Sequence, residues 1–138
     1  MANMYWPSFL LFTGLSFLVG IAADYVPRRA SVGFLILLFI PASTADLVTS
    51  LAWSNLMGLS FAEYESNQVA VALGPSILFL LTVGGCGLNW YMHHAARPLP
   101  AAVQRLERVF WTSMSARSAL LCVWNAYVGL WKLGIMSP

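Results

Sequence analysis

Charge is what this sequence has least of. Seven lysines and arginines and five acids amount to 9% of its 138 residues, while 59% are hydrophobic. A water-soluble domain carries about 25% charged residues, because its surface must be solvated. So little charge cannot cover a globule in water, which makes lipid the expected solvent. A formal net charge of +2, dispersed along the chain, also excludes the basic face that nucleic-acid binding requires.

Cysteine is nearly as scarce. Cys86 and Cys122 lie deep in apolar runs, whereas a disulfide framework punctuates polar loops. They read as inert buried thiols. No cleavable leader is expected either: the first apolar run has no basic flank, and Asp24-Tyr25-Val26-Pro27 stands where a small-residue cleavage site would be, so the run reads as a transmembrane helix. No nucleophile–base pair, HExxH zinc motif, phosphate loop or internal repeat is present, so no catalytic activity of its own is expected.

What the chain does have is four long apolar stretches almost free of charge, at 4–23, 32–57, 69–91 and about 110–131. Each meets or exceeds the ~20 residues that cross a hydrocarbon core of about 30 Å. Tyr5 and Trp6 open the first, and Trp90 and Tyr91 close the third, as interfacial aromatics. With no water to satisfy the backbone, the spans must be helices. The expected fold is therefore an all-α, single-domain membrane protein with four helices in an up-down bundle.

Loop charges orient it. The first loop holds Arg28 and Arg29, and the third holds Arg97, Arg105 and Arg108 beside His93 and His94. The second, GLSFAEYESNQ, has no basic residue and carries Glu63 and Glu65. Basic loops stay cytoplasmic, which puts both termini outside, with Lys132 the one residue against the rule. A bacterial inner membrane, or an equivalent energy-transducing membrane, is the expected location. The stretch from Pro98 to Glu107 should extend the fourth helix into the cytoplasm. Pro100 suits its first turn, and Arg105 and Arg108 would hold it at the headgroups.

Polar residues inside the spans are the candidate site. Asp46 lies roughly 14 residues, or about 21 Å, into the second helix. A carboxylate at such depth costs about 2.5–3.5 kcal/mol and should face the interior. Ala42, Ser43, Asp46, Thr49, Ser50 and Trp53 follow helical spacing and form one small, polar stripe. Asn125 sits at similar depth in the fourth helix and is the expected hydrogen-bond partner. Pro41 frees a carbonyl near Leu37 and should kink the second helix, or break it around Pro41–Thr44. Arg117 either snorkels to the headgroups, meets a partner subunit or reaches Asp46.

Asn89 reads as interfacial. His93 and His94 are adjacent, so they do not share a face as i, i+4 ligands would. They too read as interfacial, with a haem or chlorophyll-type pigment ligand the weaker option. No other cofactor is expected. Gly74 and Gly85 share a face of the third helix that would admit a close helix neighbour.

Asp46-Leu-Val-Thr49-Ser50, followed by Glu65-Ser66-Asn67-Gln68, resembles a family of uncharacterised small prokaryotic membrane proteins. That family bears an Asp-x-x-Thr-Thr helix and then Glu-x-Asn-Pro. The second Thr and the Pro are absent here, and the resemblance implies no activity.

Three functions are compatible with this inventory. The first is an accessory subunit of a larger membrane complex, with other membrane subunits, or copies of itself, and lipid as partners. The second is an oligomeric small transporter, or an ion- or proton-coupled protein, using Asp46. The third, a membrane-embedded enzyme, has the least support.

Overall fold

The computed structural model describes residues 2–26, 30–65, 68–95 and 99–135, with side chains from Pro7 onward except those of residues 8 and 9. Within them the only regular structure is helix: α1 (Ala2–Asp24), α2 (Val32–Leu56), α3 (Phe61–Tyr64), α4 (Gln68–Ala95) and α5 (Ala101–Lys132). Tyr5 and Trp6 lie among the undescribed side chains. Arg28, Arg29, Ser66, Asn67, Arg97 and Pro98 lie outside the described residues.

Local chemistry sets the helix ends. Ser31 caps α2 by accepting from the Phe34 N–H at 3.2 Å. At the other end Gly58 takes φ +66°, which lets the Leu59 N–H return to the Ser54 carbonyl at 2.9 Å. Pro100 precedes α5, which is 32 residues and so about 48 Å long.

α3 is a helix that sequence reading did not expect. Ser60 and Glu63 form a capping box, each side chain bonding the other's backbone N–H. The Ser-Phe-Ala-Glu spacing was a sufficient signal for it. The expected break also falls elsewhere. α2 runs unbroken from Val32 to Leu56 with Pro41 inside it. α4 is the interrupted helix, at Gly74, with φ 75° and ψ 162°. Pro75 forces extended ψ on the residue before it, and only glycine takes the positive φ at little cost. From Pro75 to Ala95 the helix is continuous.

The order of the helices in space differs from their order in the chain. α5 packs against both α1 and α2, and α2 also packs against α4. Among the described residues α1 and α2 make no close backbone approach, and neither do α4 and α5 or α1 and α4. The helices thus form an open row, α1–α5–α2–α4, with α3 lodged against α2 and α4. Consecutive helices were expected to be neighbours, but α5 is inserted between α1 and α2.

The reason lies in where side chains are small or paired. A Cβ on Gly20 would run into the Val109 carbonyl at 2.6 Å and into Ser113, so α1 and α5 touch there. One on Gly129 would enter the Trp53 ring, so α5 and α2 touch there. Phe12 meets Trp124 at 5.4 Å and Phe39 meets Trp111 at 5.7 Å. These pairs make α1 antiparallel to α5, and α2 parallel to it.

The buried apolar cluster is small: Val32, Leu35, Ile36, Cys86 and Trp111, with Phe39 and Ile40 against it. Large apolar side chains mostly face outward, as at Leu10, Phe17, Leu80 and Leu88. Two helices, α2 and α4, are long and apolar enough to cross a membrane. The described apolar stretch of α1, Leu10–Asp24, is shorter, and α5 is not among them. α5 is the most charged of the four long helices, and it is flanked by α1 and α2.

Candidate functional site

Two polar clusters hold α5, one towards each end. The first is built on Asp46. The Asn125 side-chain amide donates to Asp46 Oδ1 at 3.0 Å and approaches Ser50 Oγ at 2.9 Å. Ser50 is fully buried and its hydroxyl donates to Glu65 Oε2 at 3.4 Å, a long bond. Two carboxylates from different elements are therefore joined through one hydroxyl and one amide. Arg117 and Glu65 both lie within Coulombic reach of Asp46, so Arg117 has the acid's field available to it. Thr49 turns its hydroxyl back to the Ala45 carbonyl, and Cys122 lies beside it.

α3 closes this cluster from the chain's second loop. Tyr64 donates its hydroxyl to the Asn125 carbonyl at 3.1 Å. Lys132 sits over the Tyr64 ring at 4.9 Å, a cation–π contact. Burial, and then the Glu65 carboxylate, push the Tyr64 phenol up to about 12. Hydrogen bonds from the Ser60 side chain and backbone hold the Glu63 carboxyl below its ordinary value. Sequence reading counted Glu65 as loop charge and as part of the family resemblance, and passed over Tyr64. Nothing in the spacing places a loop residue beside Ser50, fifteen positions earlier, until α3 is known to fold back.

The second cluster is built on Asp24, whose side chain is almost wholly buried. Arg105 Nε approaches Oδ2 at 2.5 Å, and Arg108 Nε donates to Oδ1 at 3.1 Å. Arg105 also covers the Tyr25 ring at 5.4 Å. Hydrogen bonding to Tyr25, and then the Asp24 carboxylate, hold the Arg105 pKa above its ordinary value. Both arginines, expected to hold the helix at headgroups, converge on one carboxylate. A lone acid closing an apolar run, with arginines elsewhere at the same end, was the available signal.

The histidines diverge. His94 stacks on Trp90 at 4.2 Å and its Nδ1 lies 2.9 Å from the Trp90 carbonyl. His93 Nδ1 faces Glu107 Oε2 across 3.6 Å, within ion-pair reach but beyond hydrogen-bond length. The two rings stand 5.9 Å apart at 76° and do not converge on one ligand. Among the described residues no three His, Cys, Asp or Glu side chains gather around a point. Asn89 donates back to the Gly85 carbonyl at 2.8 Å.

The α4 glycines are not where helices meet. A Cβ on Gly74, Gly84, Gly85 or Gly87 would find nothing within 4 Å. The close approaches are at Gly20, Gly33 and Gly129 instead. No family model, curated protein or solved structure matches this chain.

Proposed function

We propose that this chain is a polytopic integral membrane protein in which α1, α2, α4 and α5 all span the bilayer, and that it serves as an accessory subunit of a larger membrane complex. The observation that carries the reading is the open row of helices. Only 11% of the most apolar stretch of α4 is buried within the chain, and its glycines are uncovered. Small residues on a membrane helix are where another helix comes close, so the uncovered ones are docking positions for a neighbour.

The membrane reading has two further supports. Thirty-one large hydrophobic residues are exposed among the described residues, against four buried ones, Val32, Leu35, Ile36 and Trp111, which is the distribution of a lipid-solvated chain. The helix directions also alternate along the chain, as four successive crossings require. Arg105, Arg108, His93 and His94 share one end, while Glu63 and Glu65 share the other. The positive-inside rule then puts the Asp24 end in the cytoplasm and both termini outside, in a bacterial inner membrane or its equivalent.

Extraction in a mild detergent, with particle mass, copurifying subunits and visible spectrum recorded together, tests this function. A stoichiometric assembly with other membrane proteins is the expected result. A colourless monomer or small homo-oligomer would contradict it.

The Asp46–Glu65 pair favours one alternative, an ion- or proton-coupled role in a homo-oligomer. With both acids ionised, the cluster carries two negative charges against Arg117, and a proton or monovalent cation would balance it. In that case Asp46→Asn abolishes activity and leaves the protein inserted and folded.

A further inference from the structure

A groove runs along the contact between α1 and α5 at the Asp24 end. Its volume is about 570 Å³. Phe17 and Ile21 form one wall and Leu106, Phe110 and Met114 the other, with Asp24 and Arg105 at one end. Gly20 sets its depth by letting α1 settle against Val109 and Ser113. Phe17, Leu106 and Phe110 are all more than half exposed, so the trough is open along its length. An apolar channel with a charged end is the imprint of an amphiphile.

The charges decide its sign. Asp24 supplies one negative charge and Arg105 and Arg108 supply two positive, so the cluster is left with +1. The Arg108 side chain is 17% exposed and that of Arg105 53%, so the surplus is presented by Arg105, at the end of the groove. Glu107, the other acid at this end, faces His93.

Its floor is the contact of two packed helices, at Gly20, Val109 and Ser113. A single acyl chain is thin enough to lie along it. A zwitterionic headgroup would bring its own cation up to Arg105, whereas an anionic one would not.

We infer that the α1–α5 groove binds an anionic phospholipid, with its phosphate at Arg105 and one acyl chain between Phe17, Ile21, Leu106 and Phe110. The inference rests on the membrane reading above. The lipid joins α1 to α5 from outside.

Native mass spectrometry of the detergent-extracted chain tests it, with phosphatidylglycerol and phosphatidylcholine of identical acyl chains added in turn. One phosphatidylglycerol should stay bound per chain, preferred about fivefold, the worth of one basic residue at a membrane surface. Arg105→Gln should remove the preference while Arg108 keeps hold of Asp24, and Arg105→Lys should retain it. Leu106→Trp, at an exposed position, should fill the groove and displace either lipid, and it carries the test if Arg105→Gln does not fold.

Equal retention of both lipids, an unchanged preference in Arg105→Gln, or a protein helix found seated in the groove would overturn the proposal. A chain that remains in solution without detergent or lipid would instead refute the membrane reading itself. A detergent-dependent chain with no lipid preference would refute only the site.

Discussion

Asp46 and Asp24 are both carboxylates at helix–helix contacts, and their partners separate them. Asp24 is neutralised by two guanidiniums, while Asp46 is bonded to a neutral amide, with Arg117 and Glu65 pulling in opposite senses. Asn125 was legible as a partner because two helices of known register put both residues at one depth. Glu65 and Tyr64 were not, since a loop has no period from which to read its fold. If Asp46 is a polar clamp, Asp46→Asn keeps an acceptor for Asn125, and interhelical hydrogen bonds in lipid average only about 0.6 kcal/mol. That variant should melt, in detergent, within about 1 kcal/mol of the parent. Asp46→Leu leaves Asn125 and Arg117 without that oxygen and should cost about 1–3 kcal/mol. Equal melting of the two variants would remove the clamp role.

Among the helices, the contrast between the glycines of α5 and those of α4 has the clearest consequence. Helix periodicity showed which α4 glycines share a face, but not whether anything lies opposite. Gly129 was not singled out, although the Trp53 it touches belongs to the small, polar stripe of α2. The Cβ of Gly129→Ala would enter the Trp53 ring. Overpacking of that kind typically costs about 1–3 kcal/mol, and the variant should lower the melting temperature of the purified chain. Gly85→Ala adds a methyl group in open space. It should leave the purified chain's melting unchanged and weaken its copurification with partner subunits. Retention of the complex by Gly85→Ala would place the docking face elsewhere on the row. α3 teaches a related lesson, for four residues too polar to span anything still bring Tyr64 and Glu65 onto the Asp46 cluster.

For the whole molecule, composition set the class, and the long apolar runs coincide with the four long helices. Their order in space was not legible, because hydropathy reports the solvent of a segment and not its neighbour. The determinants are long-range pairs, Asp24 with Arg105 and Arg108, and Trp53 against Gly129, which join residues more than seventy positions apart. They make α5 the shared helix and pair two of its arginines with one buried carboxylate. α5 accordingly is not one of the two helices apolar enough to cross a membrane unaided, although it is as long as a span needs to be. The central claim is therefore that α5 crosses with the others and that the two polar ends lie on opposite sides. Single cysteines at Ala62, within α3, and at Ala102, at the start of α5, test it most directly in a background of Cys86→Ala and Cys122→Ala. Impermeant maleimide applied to the outer face of sealed membranes should label the cysteine at 62 and reach the one at 102 only after permeabilisation. Labelling of both from the same side would contradict the account.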